Sequence, residues 1–109
     1  MRTFQRRFLQ AKEATNMRWI DIAKKSGLDK AQISQYKNGV HEPEQEALYK
    51  LSTALGVNVA WLMGGDAPMW ADNEQDQEIL NRYHGLNDLG RAEFMRFLES
   101  LNRDEKYKR

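Results

Sequence analysis

The sequence predicts an all-α protein: five short helices followed by a helical hairpin. Three observations carry this prediction. Apolar residues recur at about the 3.6-residue helical period, strand-like alternation of β-branched residues is absent, and the only prolines are Pro43 and Pro68.

A first helix is predicted over Phe4 to Ala14, with Phe4, Phe8 and Ala11 on one face, and it breaks at Thr15-Asn16. The second covers Arg18 to Lys25 and turns Trp19, Ile22 and Ala23 inward. Ser26-Gly27 ends it, since glycine readily takes the left-handed conformation at a helix C-terminus. Leu28 is a buried link, and Asp29 is a good N-cap for a third helix over Lys30 to Lys37, closed by Asn38-Gly39. After the loop Val40-His41-Glu42, Pro43 suits the first turn of a fourth helix over Glu44 to Leu55. Its acids Glu44 and Glu46 sit near the positive end of the helix dipole, and Ala47, Leu48, Leu51 and Leu55 form its buried face. Gly56 terminates it. A short fifth helix, Val59 to Met63, contributes Trp61 and Leu62 to the core before Gly64-Gly65 stops this five-helix fold.

The expected organisation is a domain over residues 1–66, a linker over 67–73, a helical hairpin over 74–102 and a charged, fraying tail over 103–109. The hairpin helices are predicted over Glu74 to His84 and Asp88 to Asn102, the second capped by Asn87 or Asp88. Ile79, Leu80, Tyr83, Leu86, Leu89, Phe94, Phe97, Leu98 and Leu101 give this hairpin an apolar stripe.

Composition narrows the function. With 109 residues, 40% of them hydrophobic, the chain has material for one modest core. No apolar run approaches the roughly 18–20 residues of a membrane helix, and the basic N-terminus lacks the apolar stretch of a signal peptide. Without cysteine there is neither a disulfide nor a thiolate metal site, and the chain reads as cytoplasmic. The net charge of +1 hides an uneven distribution. Residues 1–40 hold nine Lys and Arg against three acids, whereas residues 41–109 hold eight against thirteen. That split points to one basic surface facing a polyanion and an acidic remainder.

No constellation of groups in the sequence can carry catalysis. His41 and His84 lie far apart with no partner at ligand spacing, so no metal or other cofactor is expected. Ser34 has no His/Asp partner, and Asp21, Asp29, Glu42, Glu44 and Glu46 read as caps and solvated faces. The chain is expected not to be an enzyme.

The informative stretch runs from Trp19 to Asn38. Two helices joined by a very short turn and crossing at close to a right angle impose fixed demands. A small residue is needed where the helices approach, and Ala23 is there. Four residues on, the turn needs a backbone that tolerates positive φ, supplied by Gly27. Six further on, Ile33 buries the inner face of the third helix, and Tyr36 continues that face three residues later. Gly39 ends the helix.

With these residues in register, the chain resembles the lambda-repressor-like, or Cro/C1-type, helix-turn-helix domains of phage and bacterial regulators. The resemblance covers about Phe4 to Gly65. It rests on Ile22-Ala23, Gly27, Ile33-Ser34-Gln35-Tyr36, Asn38-Gly39, Pro43, Leu55-Gly56-Val57 and Trp61-Leu62. It implies a five-helix fold whose third helix enters the major groove of duplex DNA. The residues facing base edges would be Lys30, Ala31, Gln32, Ser34 and Gln35. Contacts to phosphate would come from Arg18, Trp19, Lys25, Lys37 and Asn38. Trp19 departs from the family, which usually has a polar residue there; its indole nitrogen can still donate, or the ring can pack.

The resemblance further implies a repressor acting as a homodimer on an inverted-repeat operator, with half-sites roughly 34–36 Å apart. Leu80, Tyr83, Phe94, Phe97, Leu98 and Leu101 are the candidate dimerisation residues; the alternative is that the hairpin folds back on its own core. Many such repressors carry a C-terminal self-cleavage domain, for which these 109 residues leave no room; the expectation is either a compact regulator or a sequence that stops short of that domain. Competing functions are the antitoxin of a toxin–antitoxin pair, binding a protein partner through the hairpin, and a helical adaptor that has lost DNA binding.

Overall fold

The computed structural model describes residues 1–108 and is helical throughout. In chain order the helices are α1 (Thr3–Thr15), α2 (Trp19–Ser26), α3 (Lys30–Lys37), α4 (Gln45–Leu55), α5 (Val59–Leu62), α6 (Glu74–His84) and α7 (Asp88–Arg103). A 3-10 turn, Glu105–Tyr107, follows. No strand forms among the described residues; Val57 and Trp70 make one isolated antiparallel bridge. No described helix is long and apolar enough to cross a membrane.

The chain divides into two units, Met1–Ala71 and a second that starts at Asp72. The first owes its core to the apolar faces of five helices. Phe8, Ile22, Leu51 and Leu62, from α1, α2, α4 and α5, are its largest fully buried side chains. Burying each such side chain contributes about 1.5–3 kcal/mol. The α3 residues Ile33 and Tyr36 join the same cluster, so α3 is held through its inner face. Tyr36 meets Phe4 edge-on at 6.3 Å, and Phe4 stacks on Phe8 at 5.3 Å. On α1, Arg7 donates to the carbonyls of Trp61 at 2.5 Å and Gly65 at 2.9 Å, with its guanidinium 5.1 Å from the Trp61 ring. One side chain thus ties the end of α5 to the first helix.

Helix ends follow their caps. Arg18 and Glu44, expected as first helical residues, instead lie in extended backbone as N-caps, and Met63 is the C-cap of α5. Pro43 therefore precedes α4 and does not occupy its first turn.

Residues 67–71, expected as linker, are tied into the first unit. The Asn58 amide donates to the Met69 carbonyl at 2.8 Å and the Ala71 amide to the Gly56 carbonyl at 3.1 Å. Ala67 and Met69 pack against the core. The physical reason is the non-helical backbone of Gly56–Asn58 between α4 and α5, whose Gly56 carbonyl and Asn58 amide pair with this extended segment.

In the second unit, Asn73 caps α6 by accepting from the Asp76 amide, and Asn87 caps α7 by accepting from the Gly90 amide. Tyr83 on α6 meets Phe94 on α7 at 5.6 Å. Arg91 donates to the His84 carbonyl at 2.8 Å and lies 5.4 Å from the Tyr83 ring, fastening the turn. Neither helix contains a buried residue. The tail, expected to fray from Arg103, keeps α7 to that residue, and Asp104 caps the 3-10 turn by accepting from the Lys106 amide.

Candidate nucleic-acid interface

The candidate interface is built on the α2–turn–α3 corner. Gly27, at φ 74°, donates its amide to the Ala23 carbonyl at 3.0 Å and reverses the chain. A Cβ added to Gly27 would meet nothing within 4 Å, so conformation, not space, explains the glycine. Ser26 donates its hydroxyl to the Ala23 carbonyl and accepts from the Leu28 amide at 3.3 Å, which keeps a buried hydroxyl satisfied inside the turn.

A capping box then starts α3. Asp29 accepts from the Gln32 amide at 2.8 Å, and the Gln32 side-chain oxygen accepts from the Asp29 amide at 3.3 Å. At the other end of the helix, Gln5 donates to the Lys37 carbonyl at 3.1 Å. Both ends of α3 are therefore fastened by side chains as well as by its buried face.

With Ile33 and Tyr36 buried, Lys30, Ala31, Ser34, Gln35 and Asn38 are exposed. Gln32 is half-buried, and its amide oxygen serves the helix start, which leaves its amide nitrogen as the donor for any other partner. Asn38 donates to the Ser34 hydroxyl at 3.3 Å, so these two polar groups are held as a pair. Lys25 is exposed near the end of α2. The Arg18 guanidinium bonds both oxygens of Asp21, at 3.0 and 3.2 Å. That hydrogen bonding holds the Asp21 carboxyl below the usual carboxylate range and raises the Arg18 guanidinium above its ordinary value.

Trp19 packs edge-on against Phe8 at 5.4 Å. Two ammonium groups lie over its ring, Lys37 at 5.2 Å and Lys12 at 5.6 Å. Trp19 and Ile20, with Lys30, Ile33, Ser34 and Lys37 of α3, line a surface groove of about 220 Å³. On the other flank of α3 lies a larger cleft of about 510 Å³, whose charged lining is Glu42, Glu44 and Glu46 against Lys50, with Gln32, Gln35 and His41 beside them. The helix thus separates a basic groove from an acidic cleft. Lys12 and Ile20 were not foreseen from sequence: no spacing rule links a lysine of α1 to the first turn of α2.

Comparison with known proteins agrees with this geometry. The helix-turn-helix family profile matches residues 9–62. Among solved structures, the fold is similar to a transcriptional regulator from Listeria innocua, at 18% identity and a TM-score of 0.51 over 92% of each chain. It is also similar to a chain of the SinR protein/SinI protein complex, at 20% identity and a TM-score of 0.55, over 94% of this chain and 100% of that one. No curated protein matches the sequence.

Proposed function

Residues 9–62 belong to the helix-turn-helix family of DNA-binding domains, and from that premise we propose that the chain is a phage-type transcriptional repressor. It reads an inverted-repeat operator with α3 in the major groove. The observation that carries this reading is the division of α3: Ile33 and Tyr36 are buried, while Lys30, Ala31, Ser34 and Gln35 are exposed on a helix secured at both ends. Gln35 suits adenine through its amide, Lys30 suits guanine O6 or N7, and Ala31 suits a thymine methyl. Gln32 contributes through its amide nitrogen. Lys25, Lys37, Asn38 and Arg18 are the phosphate contacts; Arg18 keeps N–H groups beyond the two that hold Asp21.

The operator is read by a homodimer joined through the α6–α7 hairpin. Leu80 and Phe97 are 46% and 61% exposed, and Ile79, Leu89 and Met95 add further exposed apolar surface. Tyr83, Phe94, Leu98 and Leu101 are half-buried. A two-helix element without an interior needs a cover, and a second copy supplies a matching one. One specific observation favours a second reading, in which the hairpin takes a different protein: the similar SinR chain comes from a complex with another protein.

The test is selection of bound duplexes from a random pool, followed by the Gln35→Ala variant on the selected site. The variant should lose about 1–3 kcal/mol and relax preference at one base pair. Unchanged affinity would show that Gln35 is not on the reading face; failure to enrich any sequence would remove the repressor reading altogether.

A further inference from the structure

We infer that Trp19 is a positioning residue for DNA contact: its ring holds the Lys37 ammonium at the rim of the α2–α3 groove, and the occupant of that groove is the sugar–phosphate backbone of one DNA strand. The inference rests on the DNA-binding reading above and assigns it a residue that the reading does not explain.

Trp19 is the first residue of α2, and its edge contact with Phe8 of α1 fixes the plane of the ring. Lysines from two other helices converge on it. Lys12 also lies 3.7 Å from the Glu13 carboxylate, but Lys37 has no carboxylate partner among the described residues. The ring attracts the Lys37 ammonium through its quadrupole and brings no negative charge of its own. The lysine is therefore held in place with its charge unneutralised, which is the state a phosphate contact requires. Restraining a long, flexible side chain before binding also removes part of the ordering cost that association otherwise carries.

The groove has the chemistry of a nucleic-acid backbone. Lys37 offers a donor for phosphate oxygens, and Trp19, Ile20 and Ile33 offer an apolar floor for deoxyribose. No carboxylate lines it. The cleft on the opposite flank of α3 carries Glu42, Glu44 and Glu46 with only Lys50, paired to Glu46, against them, so its balance of charge is negative. Of the two concavities beside α3, the balance of charge favours the Trp19 side for the sugar–phosphate backbone, and Gln32 and Gln35 on the other flank are left to base edges.

The test uses the full chain and a fluorescently labelled duplex of random sequence, with affinity measured by anisotropy across a salt series. Trp19→Leu keeps an apolar side chain but removes the π face; Trp19→Phe keeps a face. Thermal unfolding of each variant establishes that it is folded. Trp19→Leu should weaken binding about 2- to 5-fold, the ratio that corresponds to a cation–π contact at a partly exposed site. Lys37→Ala should reduce the salt slope by about 0.9, and its effect should shrink in the Trp19→Leu background. Trp19→Phe should behave as wild type. If Trp19→Leu does not fold, fluorinated tryptophan at position 19 drains the ring face without changing its shape, and binding should fall stepwise with fluorine number. Losses from Trp19→Leu and Lys37→Ala that simply add, or affinity indifferent to fluorination, overturn the role of Trp19 while leaving the DNA reading intact. Wild-type protein that shows no salt-dependent duplex binding overturns both.

Discussion

Two glycines flank α3 at the same dihedral angle, φ 74°, and the structure predicts different costs for replacing them. An L-residue in the left-handed region costs about 1–2 kcal/mol. At Gly27 an added Cβ meets nothing within 4 Å, so Gly27→Ala should cost only that conformational term. At Gly39 the same atom would lie 2.7 Å from Oε1 of Gln5, and the Gln5 side chain has to move. Moving it breaks its hydrogen bond to the Lys37 carbonyl, 3.1 Å long in the native chain. Loss of that bond adds about 0.5–1.5 kcal/mol. Thermal unfolding followed by circular dichroism should place Gly27→Ala roughly 5–15 °C below wild type, with Gly39→Ala several degrees lower still. In a Gln5→Ala background the gap should close, because the bond is already absent. Equal melting of the two single variants, or a gap that survives Gln5→Ala, would refute the reasoning.

Two further outcomes are expected. Asp29→Ala removes the capping box and should destabilise the first unit by about 0.5–2 kcal/mol in urea denaturation. It also frees the Gln32 amide, so duplexes selected by this variant should differ from the wild-type site at the position Gln32 reaches; an unchanged selection would mean Gln32 takes no part in reading. Phe97→Glu, at a position 61% exposed, should leave unfolding of the first unit unaltered and lower the sedimenting mass at micromolar concentration. A wild-type chain that already sediments as a monomer would rule out association through the hairpin.

Much of the corner was legible because steric rules act over short spans. Ala23, Gly27, Ile33 and Tyr36 are each dictated by how two helices meet, and α3 and α6 fall on the expected residues. The Asp29 cap was readable for the same local reason, but its reciprocal use of Gln32 was not: a glutamine three residues into a helix serves equally as cap and as reader until the backbone is placed. The Arg18–Asp21 pair follows a helical spacing that identifies neighbours without saying whether a solvated arginine will prefer a carboxylate to water. The anchoring of residues 67–71 depends on backbone pairing with Gly56–Asn58, which leaves no mark in side-chain pattern. The convergence of Lys12 and Lys37 on Trp19 joins three helices, and only packing brings them together.

The absence of a buried side chain in α6 and α7 has a consequence for dosage. Under the association proposed above, the hairpin gains its cover only by meeting another copy, so its stability contains a concentration term. Each tenfold rise in protein adds about 1.4 kcal/mol to the assembled state. Scarce chains leave the hairpin open to proteolysis; abundant chains close it and present two reading helices together. On that proposal, occupancy of a two-fold site would climb more steeply than protein abundance.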